Sequence, residues 1–263
     1  MTRQEYELRQ IKRDRRTAII GAAAIFMVLI TAYTLLTDVT KTLDPVLFPG
    51  WGVILPEMAK SSGELFKGLF HSMRLLVPSL AAAILAGVSA GIVIGMRPKV
   101  KLVLMPLFRA LNPIPPTMLI PYAIAVLPSF WLSSAAIIFI GVFWAVLMST
   151  LHGVVMLEPR WIDNARCLQL TGRRLVFKVI LPGAMPQIFA GIGSGLVSSF
   201  ILLTVAEMFG AKAGMGYYVQ YYADFAQYGK VLGGILFLSV VVIVIMSFFD
   251  RVQRRVLHWT TKR

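Results

Sequence analysis

Residues 158–186 read EPRWIDNARCLQLTGRRLVFKVILPGAMP, and this basic, partly amphipathic stretch lies between two long apolar runs. A polar segment in that position is presented at a membrane surface. Pro159 predicts the start of a helix and Gly172 predicts its stop. We therefore expect a short helix outside the bilayer that docks into a groove on a partner protein. A helix resting on anionic lipid headgroups is the alternative.

The composition is that of a membrane protein. Apolar residues make up 57% of the 263 residues and charged residues 14%, which is more apolar surface than a soluble domain of this length can bury. The net charge of +14 comes from Lys and Arg that flank apolar runs, so it argues against a nucleic-acid partner. The single cysteine, Cys167, allows no internal disulfide and indicates a reducing compartment.

The apolar runs predict an all-α polytopic membrane protein, because about 20 helical residues cross a bilayer. We predict six spans, at 17–37, 72–96, 101–127, 131–154, 184–206 and 231–250. The domain organisation that follows is a basic amino terminus (1–16), a first helix (17–37), an external segment (38–71), a core (72–250) that includes the polar segment 158–182, and a basic tail (251–263). The first run is too long for a signal peptide and is expected to be retained.

Lysine and arginine positions predict the orientation. Nineteen of them lie in 1–16, 97–101, 158–182 and 251–263, against six on the other side, with Arg109 inside a span. Since Lys and Arg in short loops stay on the cytoplasmic side, both termini and the segment 158–182 are expected there.

Several groups inside the bilayer have both a structural and a functional interpretation. Small residues recur every four positions in span two, which predicts close packing with another helix; they are Gly87, Gly91 and Gly95. Prolines interrupt span three, which predicts a kink or a wall of the translocation path; they are Pro113, Pro115, Pro116 and Pro121, next to Asn112. Ser194 and Ser198 share one face of span five and either line a polar path or bond to backbone carbonyls.

Glu207, at the outer end of span five, needs a partner or water. We expect an ion pair with Arg74 or Lys212, and contact with an external protein or with the path is the alternative. Tyrosines 217, 218, 221 and 222 are expected to be interfacial anchors, with an external gate as the alternative.

The segment 158–186 resembles the EAA loop of ABC importer permeases, through Asp163-Asn164-Ala165, Leu168 and Val179-Ile180-Leu181-Pro182. In that family the loop reads Glu-Ala-Ala, three residues, Gly, nine residues, Ile-x-Leu-Pro, and its helix sits in a cleft of the cytoplasmic ATPase. Aligned on Pro182, the family's Glu falls on Asp163 and its Gly on Gln169, so we expect Gly172 to take over the turn. The residues that the resemblance assigns to ATPase coupling are Asp163, Asn164, Ala165, Leu168, Gln169, Gly172 and Pro182.

Further stretches are similar to permeases of nitrate, taurine and alkanesulfonate importers. These stretches are Leu47-Phe48-Pro49, residues 109–116 (RALNPIPP), Ala206-Glu207-Met208 and Gly214-Met215-Gly216-Tyr217. The resemblance covers about residues 45–259 and implies a type I ABC importer fold of the bacterial inner membrane. It implies a homodimer of this chain, two cytoplasmic ATPases, an external substrate-binding protein and a small anionic solute. Asn112, Pro113, Pro115, Pro116, Ser194, Ser198 and Glu207 are the candidates for lining the path.

The chain itself is expected to be non-catalytic. It contains no Gly-x-x-x-x-Gly-Lys-Ser/Thr motif, so ATP and Mg²⁺ are expected on the partner ATPase, and no His/Cys/Asp cluster has the spacing of a metal site. The rival hypothesis is a self-sufficient, ion-coupled carrier or channel. Arg109 is its strongest candidate for a coupling residue, but we find no convincing inverted repeat, and a carrier needs no docking helix.

Overall fold

The computed structural model describes residues 17, 20–21, 23–40 and 42–259. Every regular element in these residues is helical, which confirms the predicted all-α class. The described residues form two compact units, one from those within 1–61 and 222–233 and one from those within 62–221 and 234–263.

The smaller unit contains the first helices. Helix α1 spans Ala23–Val39 and ends in a π-helical turn, Leu35–Val39, and α2 spans Trp51–Lys60. Two hydrogen bonds connect them: the Tyr33 hydroxyl donates to the carbonyl of Pro49 at 2.8 Å, and Trp51 Nε1 donates to Thr34 Oγ1 at 3.0 Å. The segment 38–71, predicted only as external, therefore contains α2.

The larger unit holds most of the helices. They are α3 (Ser62–Gly95), α4 (Pro98–Leu111), a 3₁₀ turn (Pro116–Leu119), α5 (Ile120–Val126), α6 (Phe130–Val155), α7 (Pro159–Cys167), α8 (Gly172–Leu175), a π turn (Val176–Ile180) and α9 (Leu181–Gly210). Two more, α10 (Met215–Asp224) and α11 (Tyr228–Val256), have part of their length in each unit.

Four helical segments in the described residues are long and apolar enough to cross a membrane: α3, α6, Gly172–Gly210 and α11. Helix α4 and Pro116–Val126 form a fifth candidate that is bent by 78°. Because α1 is shorter than these, the count of six spans stays a prediction. Helix α3 extends the predicted span 72–96 back to Ser62, and the predicted interruption of 101–127 is present, since prolines 113, 115 and 116 interrupt its hydrogen bonds.

Helix α6 lies at the centre of the larger unit, between α3 and α9. The glycine face of α3 packs against it, as predicted: a Cβ on Gly91 would lie 2.6 Å from the Cβ of Thr150, and one on Gly87 would lie 3.0 Å from that of Val146. On the other side, a Cβ on Gly191 of α9 would lie 2.5 Å from the Cβ of Ser149. Small residues on both flanking helices thus let three backbones approach closely.

Candidate functional site

Helix α7 begins at Pro159, as predicted, and ends with a Schellman motif. The N–H of Leu170 donates to the carbonyl of Ala165 and the N–H of Gln169 to that of Arg166, both at 2.9 Å. Gln169 adopts the left-handed conformation of this motif, with φ of +56°. The expectation that Gly172 takes over the turn was therefore wrong. Gln169 makes the turn at the position of the family's glycine, and Gly172 starts α8.

Most side chains of α7 point away from the protein. Asp163 and Asn164 are exposed, and Leu168, just beyond the helix, is 73% exposed although it is apolar. Ala165 faces the other way and is 3% exposed, so α7 lies close against its own chain at this position. The helix therefore presents acidic, basic and apolar side chains to its surroundings.

Two charged pairs around α7 are local. Arg166 lies 3.5 Å from Asp163, and Arg160 contacts Glu158. The hydrogen bond to Glu158, together with its negative charge, raises the pKa of the Arg160 guanidinium above its ordinary value. Exposed pairs of this kind contribute little stability, so these groups can exchange partners at low cost.

Helix α7 is packed directly onto the start of α9. A Cβ on Gly183 would lie 2.5 Å from Leu157 Cδ2 and 3.3 Å from Trp161 Cζ3, so a larger residue there would displace the end of Leu157 and crowd Trp161. A cavity of about 510 Å³ adjoins this contact. Its lining residues are Trp161, Lys178, Val179, Pro182, Gly183, Pro186 and Trp259.

A π turn, Val176–Ile180, connects the loop after α7 to α9. Ile180 is 3% exposed and belongs to a buried cluster that contains Leu157, Val154 and Ala184. The loop, the end of α6 and the start of α9 thus form one packed junction. Single π turns inside helices are frequent at functional sites.

The break in span three is fixed to the middle of α6. Trp144 Nε1 donates to Asn112 Oδ1 at 2.8 Å, and its ring meets Phe108 edge to face at a centroid distance of 5.2 Å. Pro113 and Pro115, one and three residues after Asn112, are exposed in the single chain, while Pro116 is half-buried. This irregular backbone therefore lies uncovered beside Asn112.

The hydroxyl side chains of span five form two groups, those that donate to a backbone carbonyl and those that do not. Ser199 is buried and donates to the carbonyl of Leu196 at 2.6 Å, and Thr204 donates to that of Phe200 at 2.8 Å. Ser194 is exposed and Ser198 half-buried, and neither side chain forms a hydrogen bond with any described residue. The free hydroxyls are thus the two that the sequence places on one face.

Glu207 does not form the expected ion pair with Arg74 or Lys212 in the described residues. It is 3% exposed, and it accepts hydrogen bonds from the Ser72 hydroxyl at 2.7 Å and from the N–H of Gly216 at 2.8 Å. Neutral donors can satisfy a buried carboxyl group when they converge on it. The carboxyl group therefore joins α3, α9 and the start of α10.

Ser72 completes this arrangement, because its Oγ accepts the N–H of Met215 at 2.9 Å. The first N–H groups of α10 are thus capped by side chains of two other helices. Sequence analysis did not identify Ser72. The closely spaced Gly214 and Gly216 were the available signal, because glycines mark close approach to a backbone and Glu207 fills the space beside both of them.

Comparison with solved structures defines the class of protein. The chain has the fold of the transmembrane subunits of ABC transporters. It is similar to a chain of the MetNI methionine ABC transporter in an inward-facing conformation, with a TM-score of 0.64, 17% identity, and coverage of 75% of this chain and 98% of that one. A chain of an amino acid ABC transporter gives a TM-score of 0.59 at 15% identity, covering 76% and 95%.

The chain belongs to the family of binding-protein-dependent transport system inner membrane components, whose model matches residues 83–258. It is 28% identical to the taurine transport system permease protein TauC of Escherichia coli, over 83% of this chain and 82% of that protein. It is 30% identical to the putative aliphatic sulfonates transport permease protein SsuC of Bacillus subtilis, over 75% and 72%. The nitrate import permease protein NrtB of Leptolyngbya laminosa shares 27% identity, over 92% and 88%.

The chain is thus a multi-pass membrane protein and the permease subunit of an ABC importer. The rival hypothesis, a self-sufficient carrier, is not favoured.

Proposed function

We propose that this permease works as a homodimer that carries a small anionic solute, such as taurine, another sulfonate or nitrate, into the cytoplasm. The names of its relatives support the solute class, since taurine, sulfonate and nitrate permeases are all similar over most of the chain. An external substrate-binding protein delivers the solute, and a pair of cytoplasmic ATPases, which bind ATP and Mg²⁺, supplies the energy. The permease itself is non-catalytic, and both of its termini are cytoplasmic.

The exposed edge of α7 is the proposed docking site for the ATPase. Asp163, Asn164 and Leu168 are exposed and compose this edge, while Gln169 shapes the turn that follows it. Ala165 contributes differently, because its small buried side chain lets α7 lie flat on the junction. Gly172 starts the short helix α8, and Pro182 lines the cavity behind Trp161.

The contact of Trp161 and Leu157 with Gly183 is the observation that carries this proposal. A rigid, packed junction transmits a displacement of α7 to α9, since close-packed side chains cannot absorb it. Movement of the ATPases would therefore turn span five. In this proposal Ser194 and Ser198 face the path, and so does the break formed by Asn112, Pro113, Pro115 and Pro116. Glu207 instead holds the outer ends of the spans together.

Purification of the tagged chain from its native membrane tests the proposal. We expect a P-loop ATPase to be recovered in a ratio of about one to one, and the associated binding protein to be stabilised against heat by taurine, methanesulfonate or nitrate. Recovery of the chain alone, active in vesicles without ATP, would contradict the importer function. Stabilisation by a cation or a neutral sugar only would contradict the solute class.

The docking site is tested by Asp163→Lys. This change places a cation on the exposed edge of α7 without touching buried groups. We expect the amount of recovered ATPase to fall at least fivefold while the membrane level of the permease is unchanged. Glu57→Lys makes the same charge change in α2 and serves as the control. Equal recovery with both variants would show that the edge of α7 does not bind the ATPase.

A further inference from the structure

Arg109 is the charged residue that the sequence leaves deepest in the membrane. In residues 102–157, which include two predicted spans, no other Asp, Glu, Lys or Arg occurs. Arg109 lies in the last turn of α4, three residues before Asn112. Intramembrane charges are costly and are kept at sites of function.

The depth of Arg109 follows from the contact between Asn112 and Trp144. Trp144 lies fourteen residues after the start of α6 at Phe130 and eleven before its end at Val155. At 1.5 Å per residue these intervals are about 21 Å and about 17 Å, so Trp144 is near the middle of the span. Arg109 is one helical turn, or about 5 Å, from Asn112 along α4. The side chain of Arg109 therefore leaves the backbone close to the centre of the bilayer.

Arg109 has no partner among the described residues. Its side chain is exposed and forms no hydrogen bond or ion pair with them. The same face of α4 carries Leu102, which is 76% exposed, so this face is uncovered in the single chain. Contact with lipid at this depth costs an arginine about 3 kcal/mol. We therefore expect this face of α4 to be covered by protein or in contact with water.

A second copy of the chain supplies no counter-ion at that depth. Among the Asp and Glu residues that the structure describes, Glu207 lies deepest in the bundle, and its carboxyl group already accepts two hydrogen bonds at the outer end of α9. The others lie in the termini, the loops and the ends of the predicted spans. A homodimer therefore brings together two mid-membrane cations without a fixed anion, so the compensating charge has to be mobile.

We infer that Arg109, one from each copy, lines the translocation path at mid-membrane and selects for anions by attracting them to this constriction. Rings of Arg or Lys favour anions in pores because the electrostatic attraction is strong where little water remains. Asn112 adds a polar group one turn away, held in place by Trp144. Arg109 is thus a selectivity residue, and not the ion-coupling group of a carrier. The inference rests on the proposed homodimeric importer.

Charged cysteine reagents test the inference without knowledge of the natural solute. The native Cys167 is replaced by Ser, and Ile114→Cys, at a position that is 50% exposed, reports on the break in span three. The assembled importer in membrane vesicles is treated with sulfonatoethyl or trimethylammonium-ethyl methanethiosulfonate, which are anionic and cationic. The ratio of their rate constants measures the local potential. Met156→Cys, at the end of α6, is the matched control because it is 64% exposed and lies beyond the span.

We expect the anionic reagent to be favoured at position 114 relative to position 156. Arg109→Gln should lower the ratio at position 114 by about fivefold to tenfold, as expected for loss of a nearby charge in a partly dry path. Arg109→Lys should keep the ratio within about twofold of the wild type, because it keeps the charge.

Three outcomes would overturn the inference: no reaction of either reagent at position 114, no anion preference there before Arg109 is changed, or a ratio that Arg109→Gln leaves unaltered. The anion preference of the unmutated importer is decisive even if Arg109→Gln fails to assemble. Recovery of the ATPase with each variant is measured in parallel. Failure of the proposed importer function would remove the ATPase, whereas failure of this inference would leave the ATPase bound and the ratio unchanged.

Discussion

Gln169 is held in a left-handed backbone conformation at the end of α7, with φ of +56°. A non-glycine residue there is disfavoured by about 1 kcal/mol relative to glycine. Gln169→Gly should therefore stabilise the end of the helix, and exchange of the Leu170 amide hydrogen should slow by about fivefold. Leu168→Gly is the control, because Leu168 has φ of −83° and gains nothing from glycine. Faster exchange in both variants would contradict the strain that we assign to Gln169.

The hydrogen bonds around Glu207 give a second prediction at this scale. Ser72→Ala removes a donor to the carboxyl group and the hydroxyl acceptor of the Met215 N–H, so it should lower the free energy of unfolding by about 1–3 kcal/mol. Ser79 is buried on the same helix but bonds only to the carbonyl of Leu75, so Ser79→Ala should cost under about 0.5 kcal/mol. Unfolding by sodium dodecyl sulfate in mixed micelles measures both. Equal losses would mean that Ser72 merely fills space.

Single residues also show where sequence reasoning stops. Alignment on Pro182 placed the family's glycine at Gln169, and we expected Gly172 to make the turn instead. Only the backbone shows that the glutamine itself adopts the glycine conformation. Glu207 was correctly expected to need a partner. The expected partner was a cation, whereas the actual one is a serine 135 residues away in the chain. Local sequence holds no information about which distant hydroxyl group a carboxyl group meets.

Helix α6 depends on glycines in its neighbours, and this dependence gives a prediction at the scale of elements. Gly91→Ala would place a Cβ 2.6 Å from that of Thr150, so α3 and α6 must separate, at a cost of about 1–3 kcal/mol. Thr150→Gly removes the opposing Cβ and should recover part of this loss when combined with Gly91→Ala. Gly63→Ala, in the first turn of α3, meets no atom within 4 Å and should be neutral or stabilising. If the costs of Gly91→Ala and Thr150→Gly simply add in the double variant, the close contact between these two positions is excluded.

At this scale the sequence predicted patterns better than boundaries. The glycine period identified the packing face of α3, and the prolines identified the interruption of span three. The predicted span began at residue 72, ten residues after the start of α3, because Glu64 and Lys67 interrupt the apolar run although the helix continues through them to Ser62. The bend of 78° could not be predicted, since it depends on how Asn112 and Phe108 pack against Trp144.

For the whole molecule, the segment 158–186, together with the stretches at 47–49, 109–116, 206–208 and 214–217, predicted an ABC importer permease, and the family match confirms it. The motif is recognisable because the proposed docking helix and the span that follows it are adjacent in the sequence. The contact between α7 and α9 was not apparent from the sequence. Gly183 follows the recognised Pro182, but its role depends on Leu157 and Trp161 lying over it.

The last prediction concerns coupling across the importer. Gly183→Val would force Leu157 and Trp161 away from α9, so the ATPase should still bind to α7 while its movement no longer reaches span five. We expect ATPase recovery within about twofold of the wild type and solute uptake reduced at least tenfold, with Gly183→Ala intermediate. Gly210→Ala is the control, because its Cβ would lie 3.4 Å from the ring of Phe130, an ordinary contact distance. Loss of ATPase binding together with transport would instead assign Gly183 to the shape of the docking site, and unchanged transport would remove the junction from the coupling route.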